Sequence, residues 1–179
     1  MAYGMTAGRS RATPLRVFQL WVALPAAEEN SSPESHYIPA DVVEADGPVR
    51  VILGQSGNAR SAIPAPEGIN YFHVRLADGE RWRYLPPRGH NVAWLAVDRG
   101  RLHASEVVES GELVVFEESE QAVEMRAEGA TSFVFGSAVK HPHALVLGRY
   151  SVHTSREALV RGEAEIRRIG QQLLAAGRL

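Results

Sequence analysis

Two histidines that flank a proline, His141 and His143, form the pattern in this sequence that most suggests a metal-binding pair. At positions i and i+2 of an extended segment both imidazoles point to the same side, as the ligands of a transition metal must. His153, His73 or His90 would complete such a set. The alternative, which we favour, is that the pair lies on the surface in a loop leading into a strand.

Arginines alternate with aromatic residues in the segment RWRYLPPR, residues 81–88. Such interleaving can bind phosphates or stack bases. On a β-strand, however, Arg81 and Arg83 share one face and Trp82 lies on the other, which is the outward and inward alternation of a barrel strand. We therefore expect no direct contact with nucleic acid, and at most a small-anion site beside these arginines.

Trp82 and Trp94 are candidates for lining a pocket that takes a flat apolar ligand, with His90 nearby. The alternative, again favoured, is that both indoles fill the barrel core, since small barrels are usually packed solid with side chains.

Ser151, Thr154 and Ser155 lie close to His153 in sequence, as a nucleophile lies close to its base. The sequence shows no acidic third member, and a capping box of Thr154 with Glu157 explains the cluster more simply. No catalytic residue is predicted.

The elements that would position these residues are mostly short strands. The segments YFHVRLA (71–77) and AVEMRAE (122–128) alternate apolar and polar residues with the period of a half-buried antiparallel strand. Further strands are predicted at 18–24, 49–53, 81–85, 91–97, 101–107, 112–118, 131–137 and 143–152. Turns are expected at Asp98-Arg99-Gly100 and Glu128-Gly129, among others, and loops at 26–36 and 54–68.

The last part of the chain predicts one helix over about residues 155–176, with Gly177 at its C-terminal cap. Its apolar stripe recurs at helical spacing and comprises Leu159, Ile166, Ile169 and Leu173.

Composition bounds the function classes. The 179 residues carry a formal charge of −2, which favours neither nucleic acid nor an anionic membrane as partner. The sequence contains no cysteine, which excludes disulfides, thiolate metal sites and a cysteine nucleophile. With no long apolar run and no secretory h-region, a soluble cytoplasmic protein is expected.

Several blocks resemble the C-terminal domain of pirins, which are double-cupin proteins: FQLWVALPA before HYIPADV, then LPPRGHNVAWLAVDRG, then FVFGSAVKHPHALVLGRYSVHTSREAL. The resemblance implies an all-β cupin or jelly-roll barrel of two antiparallel sheets with one C-terminal helix, over residues 18–179. Residues 1–17, with MTAGRS, would be a remnant of the N-terminal cupin; either Met1 is the true start, or the start is misassigned and the chain is a truncated double cupin.

Pirins bind Fe(II) through two histidines of an HPHRGFET block and the His and Glu of MTAGRGIVHSE. In this sequence the latter motif continues as Arg9-Ser10-Arg11, without His or Glu, and the earlier block is missing. Aligning Gly100 with the cupin glycine puts Ala93 at the glutamate position. No metal or cofactor is therefore expected at the family positions.

These observations predict a non-catalytic, metal-free binding or regulatory module that takes a protein partner or a small apolar ligand. The alternative is a metal-dependent dioxygenase of the quercetinase kind, with a relocated site at His141, His143 and His153. A homodimer is also expected, through residues 18–24 or through the helix stripe, because a barrel without its partner domain exposes apolar surface.

Overall fold

The computed structural model describes residues 17–64 and 66–178 of the chain. Its strands are β1 (Ala45–Asp46), β2 (Val49–Leu53), β3 (Gln55–Ser56), β4 (Ala59–Arg60), β5 (Ile69–Leu76), β6 (Arg81–Tyr84), β7 (Val92–His103), β8 (Val107–Glu109), β9 (Leu113–Val115), β10 (Val123–Ala138), β11 (Val146–Leu147) and β12 (Val152–His153), and its helix is α1 (Arg156–Ala175). The prediction of an all-β fold with one C-terminal helix is confirmed. The proposed N-terminal remnant, apart from Val17, lies outside the described residues.

Eight of the strands form one antiparallel sheet in the order β1-β2-β5-β10-β7-β8, in which β6 also pairs with β10 and β9 with β7. The 16-residue strand β10 changes partner along its length, because its first part pairs with β6 and its second part with β5. This exchange bends the sheet around its inward side chains. Phe72, Leu95, Phe133 and Phe135 are completely buried at its centre.

Two glycine turns expected between separate strands are irregularities inside single strands. β7 and β10 each run through the predicted turn, at Asp98-Arg99-Gly100 and Glu128-Gly129, so both hairpin predictions are wrong. The register between the two strands shifts after Glu128 and again after Ser132. A bulge accommodates extra residues and a positive-φ glycine without reversing the chain, because ladder pairing resumes on its far side.

Three other strand predictions are also corrected. Residues 18–24 have no regular secondary structure, and 112–118 pairs only as β9. The segment 143–152 forms the small β11–β12 hairpin rather than one strand, because the Gly148 N–H donates to the Ser151 carbonyl at 2.9 Å and turns the chain. Apolar alternation alone does not make a strand where the backbone finds no partner to pair with.

Helix α1 begins after Ser155, whose hydroxyl accepts from the Ala158 N–H at 3.1 Å. The predicted cap at Thr154 is therefore wrong by one residue. The predicted C-terminal glycine is confirmed, because Gly177 has a φ of +63° just beyond the helix. Only Ala158 of the helix is fully buried, and Ile166 of the predicted stripe is 38% exposed.

Within residues 17–64 and 66–178, no helix is both long and apolar enough to cross a membrane.

Candidate functional site

A cavity of about 830 Å³ opens between the inner face of the sheet and the loop that the sequence placed at 54–68. Three residues predicted as pocket or anion contacts, Trp82, Arg83 and His90, line it. β6 contributes the first two, and His90 follows the turn between β6 and β7. The structure therefore places three of the five predicted pocket and anion contacts at one cavity.

A chain of four buried polar side chains forms one wall of the sheet interior next to the cavity. Asn70 Nδ2 donates to Tyr84 Oη at 3.0 Å, Tyr84 Oη lies 2.6 Å from Ser137 Oγ, and Ser137 Oγ lies 2.9 Å from His90 Nδ1. All four residues are at most 7% exposed. Asn70 also accepts from the Gln55 N–H at 3.0 Å, which ties the chain to the loop over the cavity.

Counting protons gives this chain a direction. Because Tyr84 Oη accepts from Asn70, its one proton satisfies a partner only if it goes to Ser137, whose own proton then goes to His90 Nδ1. His90 is then the tautomer with its proton on Nε2, a nitrogen that makes no hydrogen bond to any residue the structure describes. Burial lowers the pKa of His90, which favours this neutral form, and raises the pKa of Tyr84.

Trp82 fills the barrel as well as lining the cavity. Its ring centroid lies 5.2 Å from that of Phe135, edge to face, and 5.7 Å from that of Tyr84. The predicted alternation on β6 is confirmed, because Trp82 and Tyr84 lie inward while Arg81 and Arg83 are exposed. The core-filling interpretation thus holds for Trp82 without excluding a ligand above it.

The remaining pocket candidates lie elsewhere. Trp94 lines a separate cavity of about 440 Å³ with His141 and Lys140, and its indole packs over Gly136, where a Cβ would be 2.1 Å away. Arg81 lines neither of these two cavities. Arg83 forms an ion pair with Glu124 at 3.4 Å on the exposed face.

The three histidines predicted as a relocated metal site are placed in two environments. The rings of His141 and His143 lie 5.5 Å apart, and His141 Nε2 lies 3.3 Å from the Leu24 carbonyl oxygen. His153 is buried beside Glu29 instead. Within residues 17–64 and 66–178, no three His, Asp or Glu side chains converge as metal ligands do. The neighbouring imidazoles of His141 and His143, without a third converging ligand among the described residues, do not fit an iron centre. The expected absence of a metal and the alternative site that includes His153 both stay predictions.

Sequence reasoning missed Asn70 and Ser137. Both stand at inward positions and are paired with each other across β5 and β10, Asn70 two residues before the buried Phe72 and Ser137 two residues after the buried Phe135. A polar residue at an inward position of an alternating strand was the available signal, because such a group must find a buried partner.

No family model matches this chain, and no curated protein matches it. Two solved structures of quercetin 2,3-dioxygenase from Acinetobacter baumannii are similar in fold: one has a TM-score of 0.68 at 18% identity over 86% of this chain and 51% of that chain. The other has a TM-score of 0.56 at 18% identity over 67% of this chain and 42% of that chain. The chain thus spans about half the length of these relatives or less. Identity this low shows the fold alone, which is the cupin jelly roll.

Proposed function

We propose that this protein is a metal-free, cupin-fold binding module that takes a small aromatic ligand bearing a hydrogen-bond acceptor. The observation that carries this proposal is the Asn70–Tyr84–Ser137–His90 chain, which leaves the His90 Nε2–H available at a cavity of about 830 Å³. Cavities of that size with apolar walls and a few convergent polar groups are typical of small-molecule sites.

The walls support an aromatic ligand with one acceptor end. Trp82, Ile63 and Ile69 supply apolar surface, and the charged residues of the lining are Arg60 and Arg83 together with Asp46 and Glu67. A carboxylate or phenolate that accepts from Nε2–H would leave the neutral tautomer of His90 undisturbed. A ligand that only donates hydrogen bonds would find no acceptor on that nitrogen.

Calorimetric titration of the full chain with 2-naphthoate, and with the cationic analogue 2-naphthylmethylamine, tests the proposal. We expect saturable binding of the carboxylate only, with affinity at least about tenfold weaker in His90→Phe, since a hydrogen bond to a charged group contributes about 1.5–3 kcal/mol. The exposed His36→Phe is the matched control, and thermal unfolding checks that both variants fold. Equal affinity in wild type and His90→Phe, or no binding of 2-naphthoate, contradicts the proposal.

The metal-dependent dioxygenase remains the rival, and the proximity of the His141 and His143 rings is what favours it. Elemental analysis of untagged protein offered Fe(II), Mn(II), Ni(II) and Zn(II) separates the two functions. We expect no stoichiometric metal. Stoichiometric retention that is lost in a His141→Ala/His143→Ala variant would support the rival and contradict the metal-free proposal.

We also propose that the protein is a homodimer. Both segments predicted at the interface expose apolar side chains, since Phe18 of residues 18–24 is 43% exposed and Ile166 of the helix stripe is 38% exposed. Light scattering at tens of micromolar should give twice the chain mass, and Phe18→Glu should give the monomer. A wild-type monomer under these conditions contradicts this proposal.

A further inference from the structure

Three side chains that do not line the cavity of about 830 Å³ lie in the order acid, imidazole, hydroxyl. Glu29 Oε2 is 3.2 Å from His153 Nδ1, and His153 Nε2 is 3.2 Å from Ser151 Oγ. The acidic member that the sequence did not reveal comes from 124 residues earlier in the chain. Both distances fall within the range of a nucleophile, a base and an orienting group.

The carboxylate of Glu29 is held firmly. Its Oε1 accepts from the Thr154 hydroxyl at 2.6 Å, and its Oε2 also accepts from the Thr154 N–H at 2.7 Å. These bonds, chiefly the one from the hydroxyl, lower the pKa of Glu29 and keep it ionised. The Glu29 and His153 side chains are only 5% and 4% exposed.

An ionised carboxylate can only accept, so His153 Nδ1 must carry a proton. In the neutral imidazole Nε2 then has a free lone pair, and the contact with Ser151 is a hydrogen bond donated by the hydroxyl. This is the direction in which an imidazole can take a proton from a serine. In the Asn70–Tyr84–Ser137–His90 chain, by contrast, Ser137 is fully buried and its hydroxyl donates to His90 Nδ1.

Ser151 is partly exposed and faces a cavity of about 320 Å³. Trp21, Val22, Ile166 and Ile169 contribute apolar walls. Gly162 of α1 lets the imidazole lie against the helix, because a Cβ there would be 2.4 Å from His153 Nε2. The cavity therefore joins a hydroxyl, its acceptor and room for a short apolar group.

We propose that Ser151, His153 and Glu29 form a second site that cleaves esters of short apolar acids. Ser151 Oγ attacks the acyl carbonyl while its proton passes to His153 Nε2. The bond from the carbonyl carbon to the leaving oxygen breaks, that oxygen takes the proton from Nε2, and an alcohol departs from the acylated serine. Water then attacks the acyl carbon and gives a proton to Nε2, the bond from that carbon to Ser151 Oγ breaks, and Oγ takes the proton from Nε2 as the acid leaves. Glu29 is a positioning residue that holds the productive tautomer.

Hydrolysis of p-nitrophenyl butyrate by the full chain is the first test, since its phenolate leaves without needing a strong acid. We expect hydrolysis above the buffer rate that falls at least about 100-fold, or to that of buffer, in Ser151→Ala, the scale of a lost nucleophile and base. The exposed Ser32→Ala should hydrolyse as wild type does. A Ser151→Ala variant that hydrolyses the ester as fast as wild type overturns the proposal, as does a wild-type rate no higher than that of buffer.

A second measurement does not depend on turnover. The chain contains no cysteine, so Ser151→Cys introduces its only thiol. If His153 accepts from position 151, the thiol is partly ionised at neutral pH and iodoacetamide should alkylate it at least about tenfold faster than the thiol of the matched Ser32→Cys variant. Intact mass spectrometry at pH 7 follows both. Alkylation of Ser151→Cys no faster than that of Ser32→Cys overturns the proposal.

Discussion

Glu29 and His153, which are 124 residues apart in sequence, form a buried pair with 3.2 Å between Oε2 and Nδ1. Glu29 belongs to the turn at 26–30 that precedes the first strand, and His153 ends β12 just before α1. The pair, with the two bonds from Thr154, therefore fastens the described N-terminal segment to the start of the helix. A buried pair of this kind is costly to break on one side only.

Acid should weaken this fastening. Because the pKa of Glu29 is lowered below its ordinary value of 4.5, the stabilisation is fully present above about pH 4.5 and is lost as the pH falls through the folded-state pKa. Glu29→Gln should unfold at a lower temperature than wild type at pH 7, and the difference should shrink at pH 3. The exposed Glu28→Gln serves as control. A difference that does not depend on pH would contradict this assignment.

His90 should make the free energy of unfolding begin to fall at a higher pH than Glu29 does. Its pKa is lowered by burial, and that of His73 is lowered chiefly by the same cause, so the unfolded chain takes up protons first as the pH drops below about 6.5. The free energy of unfolding is then greatest above pH 6.5 and decreases from there downward. This loss of stability begins near pH 6.5, about two pH units above the value of 4.5 at which the loss from Glu29 begins.

Urea unfolding at pH 7.5 and 5.5 measures this effect. We expect His90→Gln to show a smaller loss between the two pH values than wild type, with His73 accounting for what remains. His36→Gln, at an exposed position, should lose as much as wild type. An unchanged pH response in His90→Gln would show that the imidazole is not protected from protonation.

Ser137→Ala should be destabilising out of proportion to its size. It leaves the Tyr84 hydroxyl and His90 Nδ1 without their shared partner in the interior, and an unsatisfied buried polar group costs about 1–3 kcal/mol. Adding Tyr84→Phe removes one of the two orphaned groups, so the double variant should cost less than the sum of the single ones. Equilibrium urea unfolding supplies all three free energies, and strict additivity would contradict the coupling.

Gly100 and Gly129 offer a matched test of the bulges. Both have a positive φ, +79° and +72°, but only at Gly100 would a Cβ meet other atoms, 2.5 Å from Thr131 Oγ1 and 2.7 Å from the Ala130 carbonyl oxygen. Gly129→Ala should cost about 1–2 kcal/mol from backbone strain alone. Gly100→Ala should cost clearly more, measured by urea unfolding. Equal costs would show that the strand relaxes around the added methyl group.

The sequence by itself determined the elements whose signal is local. The alternation in β5 and β6 predicts which side chains share a face, and it places Trp82 on the inward face, opposite Arg81 and Arg83. The position of α1 and the glycine after it follow from periodicity and capping, to within a residue at each end. These features depend on neighbours within a few positions, which the sequence displays directly.

Only the tertiary structure decided what the glycines at 100 and 129 do, because a bulge and a hairpin turn differ in whether the next residues find the same partner strand. It also decided that residues 18–24 form no strand, because they pair with no other strand of the part of the chain that the structure describes. The partners within the two polar clusters were beyond the sequence for the same reason. Asn70 and Ser137, which both bond Tyr84, and Glu29 and His153 meet through a fold that joins residues distant in the chain, so an inward polar residue can be noticed in the sequence but its partner cannot be named from it.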